Sequence, residues 1–79
     1  MVSVEVYALQ RAVSLEIRID EKILAGEAAE GIRRILGDET AGYLVSSECK
    51  GLLNPDLSIE DHDISNGEKL FYISKIMQT

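Results

Sequence analysis

Leu52-Leu53-Asn54-Pro55-Asp56-Leu57-Ser58-Ile59-Glu60-Asp61-His62-Asp63-Ile64-Ser65-Asn66-Gly67-Glu68-Lys69-Leu70-Phe71-Tyr72-Ile73 runs from a short strand through a loop into a second strand. Leu52-Leu53 reads as the short strand, ended by Pro55, whose nitrogen has no hydrogen to give a ladder. Asp56 to Asp63 is polar and irregular. Asn66-Gly67 is turn chemistry. Glu68 to Met77 then reads as a strand apolar on both sides, with Leu70 and Tyr72 on one face and Phe71 and Ile73 on the other. Such a strand is usually central in its sheet.

Two strands open the chain. Val2, Val4, Val6 and Ala8 alternate with Ser3, Glu5, Tyr7 and Leu9, and Val13, Leu15, Ile17 and Ile19 alternate with Ser14, Glu16, Arg18 and Asp20. This period of two marks half-buried strands. A hairpin turning at Gln10-Arg11 pairs Ala8 with Val13, Val6 with Leu15, Val4 with Ile17 and Val2 with Ile19. Every apolar residue then meets an apolar partner, and a one-residue slip would turn the whole set to solvent. Gln-Arg is not favoured two-residue turn chemistry, so a longer or bulged loop stays open.

From Leu24 the period becomes helical. Leu24, Ala28, Ile32, Ile35 and Leu36 share one face, with Glu27, Glu30, Arg33 and Arg34 mostly opposite. Acidic residues come early and arginines late, which suits the helix dipole. Asp20 is the expected cap and Gly37 the expected stop. Gly26 and Gly31 each cost such a helix about 1 kcal/mol relative to alanine; close packing on the sheet would explain them. Tyr43 to Ser47 reads as a further strand with Leu44 inward, and Lys50-Gly51 as a turn. The order β-β-α-β-(short β)-β predicts an α+β β-grasp: a mixed sheet of four or five strands with one helix across one face, in a single domain spanning 1–79.

The 79 residues suffice for one domain, and a hydrophobic fraction of 46% suffices for one core. No apolar run reaches the roughly 18 residues of a transmembrane helix, and Met1 leads straight into strand-like residues without a signal-peptide pattern. The expected location is cytoplasmic, with no direct membrane insertion. The net charge of −6 opposes nucleic-acid binding. It also opposes adsorption to anionic membranes. A lone cysteine, Cys49, has no internal disulfide partner, in keeping with a reducing compartment.

The spacing Leu53-x5-Ile59-x-Asp61-x2-Ile64-x5-Leu70 resembles that of ubiquitin-like domains. The resemblance implies that Leu53, Ile59, Ile64 and Leu70 are structural and plug one end of the core. Within that family, Leu53-Asn54-Pro55-Asp56-Leu57-Ser58-Ile59 followed by Ile64-Ser65-Asn66-Gly67-Glu68-Lys69-Leu70 is similar to the YukD and EsaB proteins of bacterial type VII secretion and to the ubiquitin-like domain of EccD-type membrane components. That likeness implies a docking or regulatory role toward the cytosolic part of a membrane secretion machinery that handles WXG-type substrates. The tail Ser74-Lys75-Ile76-Met77-Gln78-Thr79 contains no Gly-Gly, through which a modifier would be conjugated. A ubiquitin-like subunit of a multicomponent monooxygenase and a truncated modifier stay open as alternatives.

No catalytic, cofactor or metal residues are expected. Cys49 and His62 lack an orienting third group; His62 is expected to be structural and Cys49 inert. Asp61-His62-Asp63-Ile64-Ser65-Asn66-Gly67 superficially resembles a calcium loop, but position 6 would be Asn66 and position 12 Tyr72, where an EF-hand needs Gly and Glu. Four zinc ligands are lacking, and Leu24-Ala25-Gly26-Glu27 is no phosphate loop. Glu60, Asp61 and Asp63 read as a solvated acidic loop. The remaining candidate is a surface. With the last strand between strands 1 and 3, Tyr7, Leu9, Val45, Phe71 and Ile73 lie side by side on the outer sheet face, and a contiguous apolar patch of this kind suggests a protein partner. A homodimer is left open.

Overall fold

A computed structural model describes residues 1–9, 11–39, 42–48 and 51–74. Five strands form one sheet: β1 (Val2–Ala8), β2 (Val13–Ile19), β3 (Gly42–Ser46), β4 (Gly51–Leu52) and β5 (Glu68–Ser74). One helix, α1 (Ala25–Leu36), and a short 3-10 turn at Glu60–His62 are the other elements among the described residues. The strand order is β2-β1-β5-β3-β4. β5 is central, parallel to β1 and antiparallel to β3. The two-sided apolar pattern of β5 therefore has its physical cause in position: the inner face meets the core and the outer face lies between two strands.

The hairpin register is the one set by apolar pairing, from Val2 opposite Ile19 to Ala8 opposite Val13. The connection is the longer alternative. Its described residues are Leu9, Arg11 and Ala12; the Arg11 amide bonds to Ala8 O at 3.2 Å, and Ala12 turns the chain at φ 52°. Gln10 of the expected turn lies outside the described residues. The last strand is described as far as Ser74; residues 75–77, which the sequence pattern assigned to it, lie outside. So do Cys49, Lys50 and the rest of the tail.

The helix differs from expectation in two ways. Its buried face is Ala25, Ala28, Ala29 and Ile32, with Leu36 packed alongside, while Leu24 is 40% and Ile35 61% exposed. The inner face is thus made mostly of alanines, Leu24 stands before the first turn as the extended N-cap, and Ile35 lies on the solvent side. Its start is also not capped by Asp20, which instead accepts from the Lys22 amide at 3.0 Å in a local turn. The loop does the capping. Leu57 O accepts from the Ala25 amide at 2.8 Å and Pro55 O from the Gly26 amide at 3.1 Å, while the Glu27 carboxylate reaches back to the Leu24 amide at 3.0 Å. Those are the amides a helix leaves unpaired at its first turn. Gly37 ends the helix as expected, left-handed at φ 77°, with its amide on Arg33 O and Arg34 O.

Gly26 sits where a Cβ would meet Pro55 Cβ and O, each at 3.1 Å, so it is close packing against the loop, not the sheet, that holds this glycine. Gly31 faces open space. Gly42 is the most constrained: a Cβ there would run into Ile73 O and lie 2.8 Å from the Tyr72 ring.

Leu53, Ile59, Ile64 and Leu70 are all buried and join Val2, Val4, Val6, Ala8, Leu44 and Tyr72 in one core. Tyr72 is fully buried, and its hydroxyl meets no partner at hydrogen-bond geometry among the described residues. Burial raises its pKa and the Asp38 carboxylate adds to this, against a weaker opposing approach of the Gly42 amide and the Arg33 guanidinium. At the opposite end of β5, the buried Glu68 carboxylate accepts from Ser46 Oγ at 2.5 Å and from the Ser65 amide at 3.0 Å.

Candidate functional site

The outer face of the sheet is built by register. Tyr7 on β1 stands opposite Phe71 on β5, Phe71 opposite Val45 on β3, and Val45 opposite Leu52 on β4. Residues opposite one another in a ladder share a face, so these four make an apolar row across four strands. A second row lies beside it: Tyr43 is opposite Ile73, and the Leu9 amide bonds to Tyr72 O at 3.2 Å, which sets Leu9 at the neighbouring position beyond β1. The Tyr7 and Phe71 rings meet edge to face, with centroids 6.3 Å apart and planes at 86°.

Tyr7, Val45, Phe71 and Ile73 are each half-buried and Leu9 is exposed. All five residues expected on this face are therefore there, although Leu9 belongs to the hairpin loop and not to the strand. Sequence reasoning missed two more, Tyr43 (40% exposed) and Leu52 (61% exposed). Tyr43 shares the parity of Val45, which should have revealed it. Leu52 is opposite in parity to the inward Leu53. One side of the patch is bounded by charge: Glu16 stands opposite Glu5, Glu5 opposite Lys69, and Ser47 donates its amide to Lys69 O at 3.3 Å.

The other candidate residues have structural surroundings. His62 Nε2 accepts from the Asn54 amide at 3.0 Å while its Nδ1 bonds to Ser58 O at 2.8 Å. Only the neutral ring protonated on Nδ1 serves both, because a carbonyl must receive a proton and an amide must find a lone pair. Asp61 and Ser58 cap one another, each side chain accepting from the other's amide, at 3.3 and 3.1 Å. The loop His62 holds is the one that caps α1. Cys49, the other half of the Cys-His pair, lies outside the described residues. Among the described residues, no group of three or more His, Cys, Asp or Glu side chains is placed to hold a metal ion.

Similar architecture recurs in solved structures. A protein designed de novo on the basis of ubiquitin superimposes with a TM-score of 0.79 at 13% identity, over 98% of this chain and 92% of that one. The ubiquitin-like domain of tubulin-binding cofactor B gives 0.79 at 12% identity, over 92% and 88%. The fold is the ubiquitin-like β-grasp. The C-terminal ubiquitin-like domain of mouse tubulin-specific chaperone e gives 0.78 at 13% identity, over 99% and 90%. At these identities the likeness is one of ubiquitin-like fold alone. No protein-family model matches the chain. No curated protein matches it. Among the described residues of this ubiquitin-like chain, no helix is long and apolar enough to cross a membrane.

Proposed function

We propose that this ubiquitin-like chain is a non-enzymatic docking protein that binds a protein partner through the outer sheet face around Phe71. The observation that carries this reading is the pair of adjoining apolar rows, Tyr7–Phe71–Val45–Leu52 and Leu9–Ile73–Tyr43, which cross the sheet in register. Aromatic anchors of this type concentrate binding energy at interfaces, and Phe71, flanked by Tyr7 and Val45, is placed to be the central one. The more specific reading is an accessory component of a bacterial type VII secretion system that docks from the cytosol onto the membrane-anchored machinery. It is supported by the resemblance of Leu53–Ile59 and Ile64–Leu70 to the YukD, EsaB and EccD pattern.

The test is affinity capture of the tagged native protein from detergent-solubilised cells, beside Tyr7→Ala and Phe71→Ala variants, read by mass spectrometry. Recovery of a secretion ATPase or another type VII membrane component by the native chain, lost in both variants, is the expected result. Recovery of a hydroxylase, or a covalent ladder on many proteins, sinks the secretion reading in favour of an oxygenase subunit or a modifier. A partner retained by both variants places docking elsewhere on the molecule.

A further inference from the structure

The two edges of the sheet are unequal. Among the described residues β4 ends one side with two, Gly51–Leu52, a short ladder to pair with. β2 ends the other with seven residues, Val13–Ile19, none of them proline, whose outward amides and carbonyls have no strand beside them among the described residues. Natural sheets usually blunt so long an edge. Next to this edge the helix leaves the core uncovered. An open groove of about 200 Å³ runs between β2 and α1, lined by Ile17, Ile19, Ile23, Gly31, Ile32 and Ile35. Ile17 and Leu15 point inward yet are only half-buried.

The charges on β2 suggest what fits there. Glu16 and Arg18 are both exposed and neither makes an ion pair among the described residues. Glu16 stands opposite Glu5, a like-charge cross-strand pair that costs stability. An antiparallel β2–β2 pair centred on Ile17 would set Glu16 opposite Arg18 of a second copy, twice by symmetry, and Leu15 opposite Ile19. Registers two residues away lose this: centring on Leu15 sets Glu16 against Ser14, and Arg18 against Ala12. Centring on Glu16 sets it against itself. In the Ile17 register the row across both sheets reads Lys69, Glu5, Glu16, then Arg18 of the second copy. The second copy's Leu15 and Ile17 would lie on the helix side of the sheet, against the open flank marked by Gly31 and Ile35.

We infer that the β2 edge is a homodimer site, at which two copies join through antiparallel β2 strands about a two-fold axis at Ile17. The pairing is isologous, as closed two-fold dimers are, and it uses main-chain hydrogen bonds for affinity and side-chain pairs for register. It leaves the outer face around Phe71 free.

Sedimentation velocity of the full chain over a wide concentration range tests it. The native protein should pass from one chain mass toward two. Arg18→Glu and Glu16→Arg should each weaken association at least tenfold, and the double variant E16R/R18E should restore it. Phe71→Ala should leave it unchanged, which separates this site from the docking face. A native protein that stays monomeric throughout overturns the inference. So does a dimer indifferent to the Glu16 and Arg18 substitutions, or one that Phe71→Ala abolishes.

Discussion

Tyr7 and Phe71 are cross-strand partners in the parallel β1–β5 ladder, and their rings touch edge to face at 6.3 Å on the surface away from the core. The pair is worth about 0.5–1.5 kcal/mol beyond the area it covers. Because both rings are half-buried, Phe71→Ala should destabilise the domain by roughly 1–2 kcal/mol without unfolding it. Urea denaturation followed by circular dichroism measures this. Loss of the folded spectrum at zero denaturant would show that Phe71 is a core residue, not a docking one.

The two helix-interior glycines should respond in opposite ways. Gly31 faces open space, so Gly31→Ala should stabilise by close to the full propensity difference, about 1 kcal/mol. At Gly26 the new methyl meets Pro55 at 3.1 Å. The same gain is then offset by moving the loop that caps the helix, and Gly26→Ala should be neutral or destabilising. Thermal melts of the two variants distinguish these outcomes.

Tyr72→Phe removes a buried hydroxyl that lacks a well-formed hydrogen bond among the described residues. The substitution should be neutral to stabilising, by up to about 1 kcal/mol. Its advantage should grow with pH. A tyrosine whose folded pKa is raised resists ionisation in the fold, so its contribution is intact below the ordinary value of about 10. That contribution falls as pH climbs through the unfolded pKa toward the raised folded one. Equilibrium unfolding of both proteins at neutral and strongly alkaline pH is the check; parallel pH curves would contradict it.

At the acid end the sign reverses. Bonding to Arg33, at 2.6 Å to its Nη2, holds the Glu30 carboxyl below the usual carboxylate range. The N-terminal ammonium does the same for Glu21. A depressed folded pKa stabilises above the unfolded value and is lost as pH falls through the folded one. Glu30→Gln should therefore lower stability near neutrality and converge with the native protein at strongly acid pH. Added salt should shrink the difference, since both partners are partly exposed.

The hairpin and the central strand were legible because alternation carries facing, and facing fixes register: Val2 to Ile19 and Leu70 to Tyr72 needed no other information. The outer patch follows from the same parity, and Tyr43 and Leu52 obey it too, although they were not among the residues expected there. The helix start was not legible. Asp20 has the chemistry of a cap, but the partners of Ala25 and Gly26 are backbone carbonyls of Leu57 and Pro55, distant in sequence and without side-chain signature. The rotation of the helix was equally hidden. Periodicity weighs Ile35 above Ala25, whereas the face that is buried is the alanine one, which carries a weaker hydrophobic signal.

The parallel neighbours at the middle of the sheet are the first strand and the last, Val6 beside Leu70. Nearly the whole chain must be closed into a loop before that ladder can form, and such distant pairing slows folding. A ribosome releases β1 long before β5 exists. Until then the β1–β2 hairpin carries valines and isoleucines with no sheet centre to join, and it is the species most exposed to aggregation or to capture by a chaperone during synthesis. Moving the chain ends into the Leu9–Ala12 loop and linking the old ones would bring β1 and β5 close together in sequence. The same cut sends the two strands of the β1–β2 hairpin to opposite ends of the chain, so the permutant exchanges one distant ladder for another and should refold no faster than the natural order.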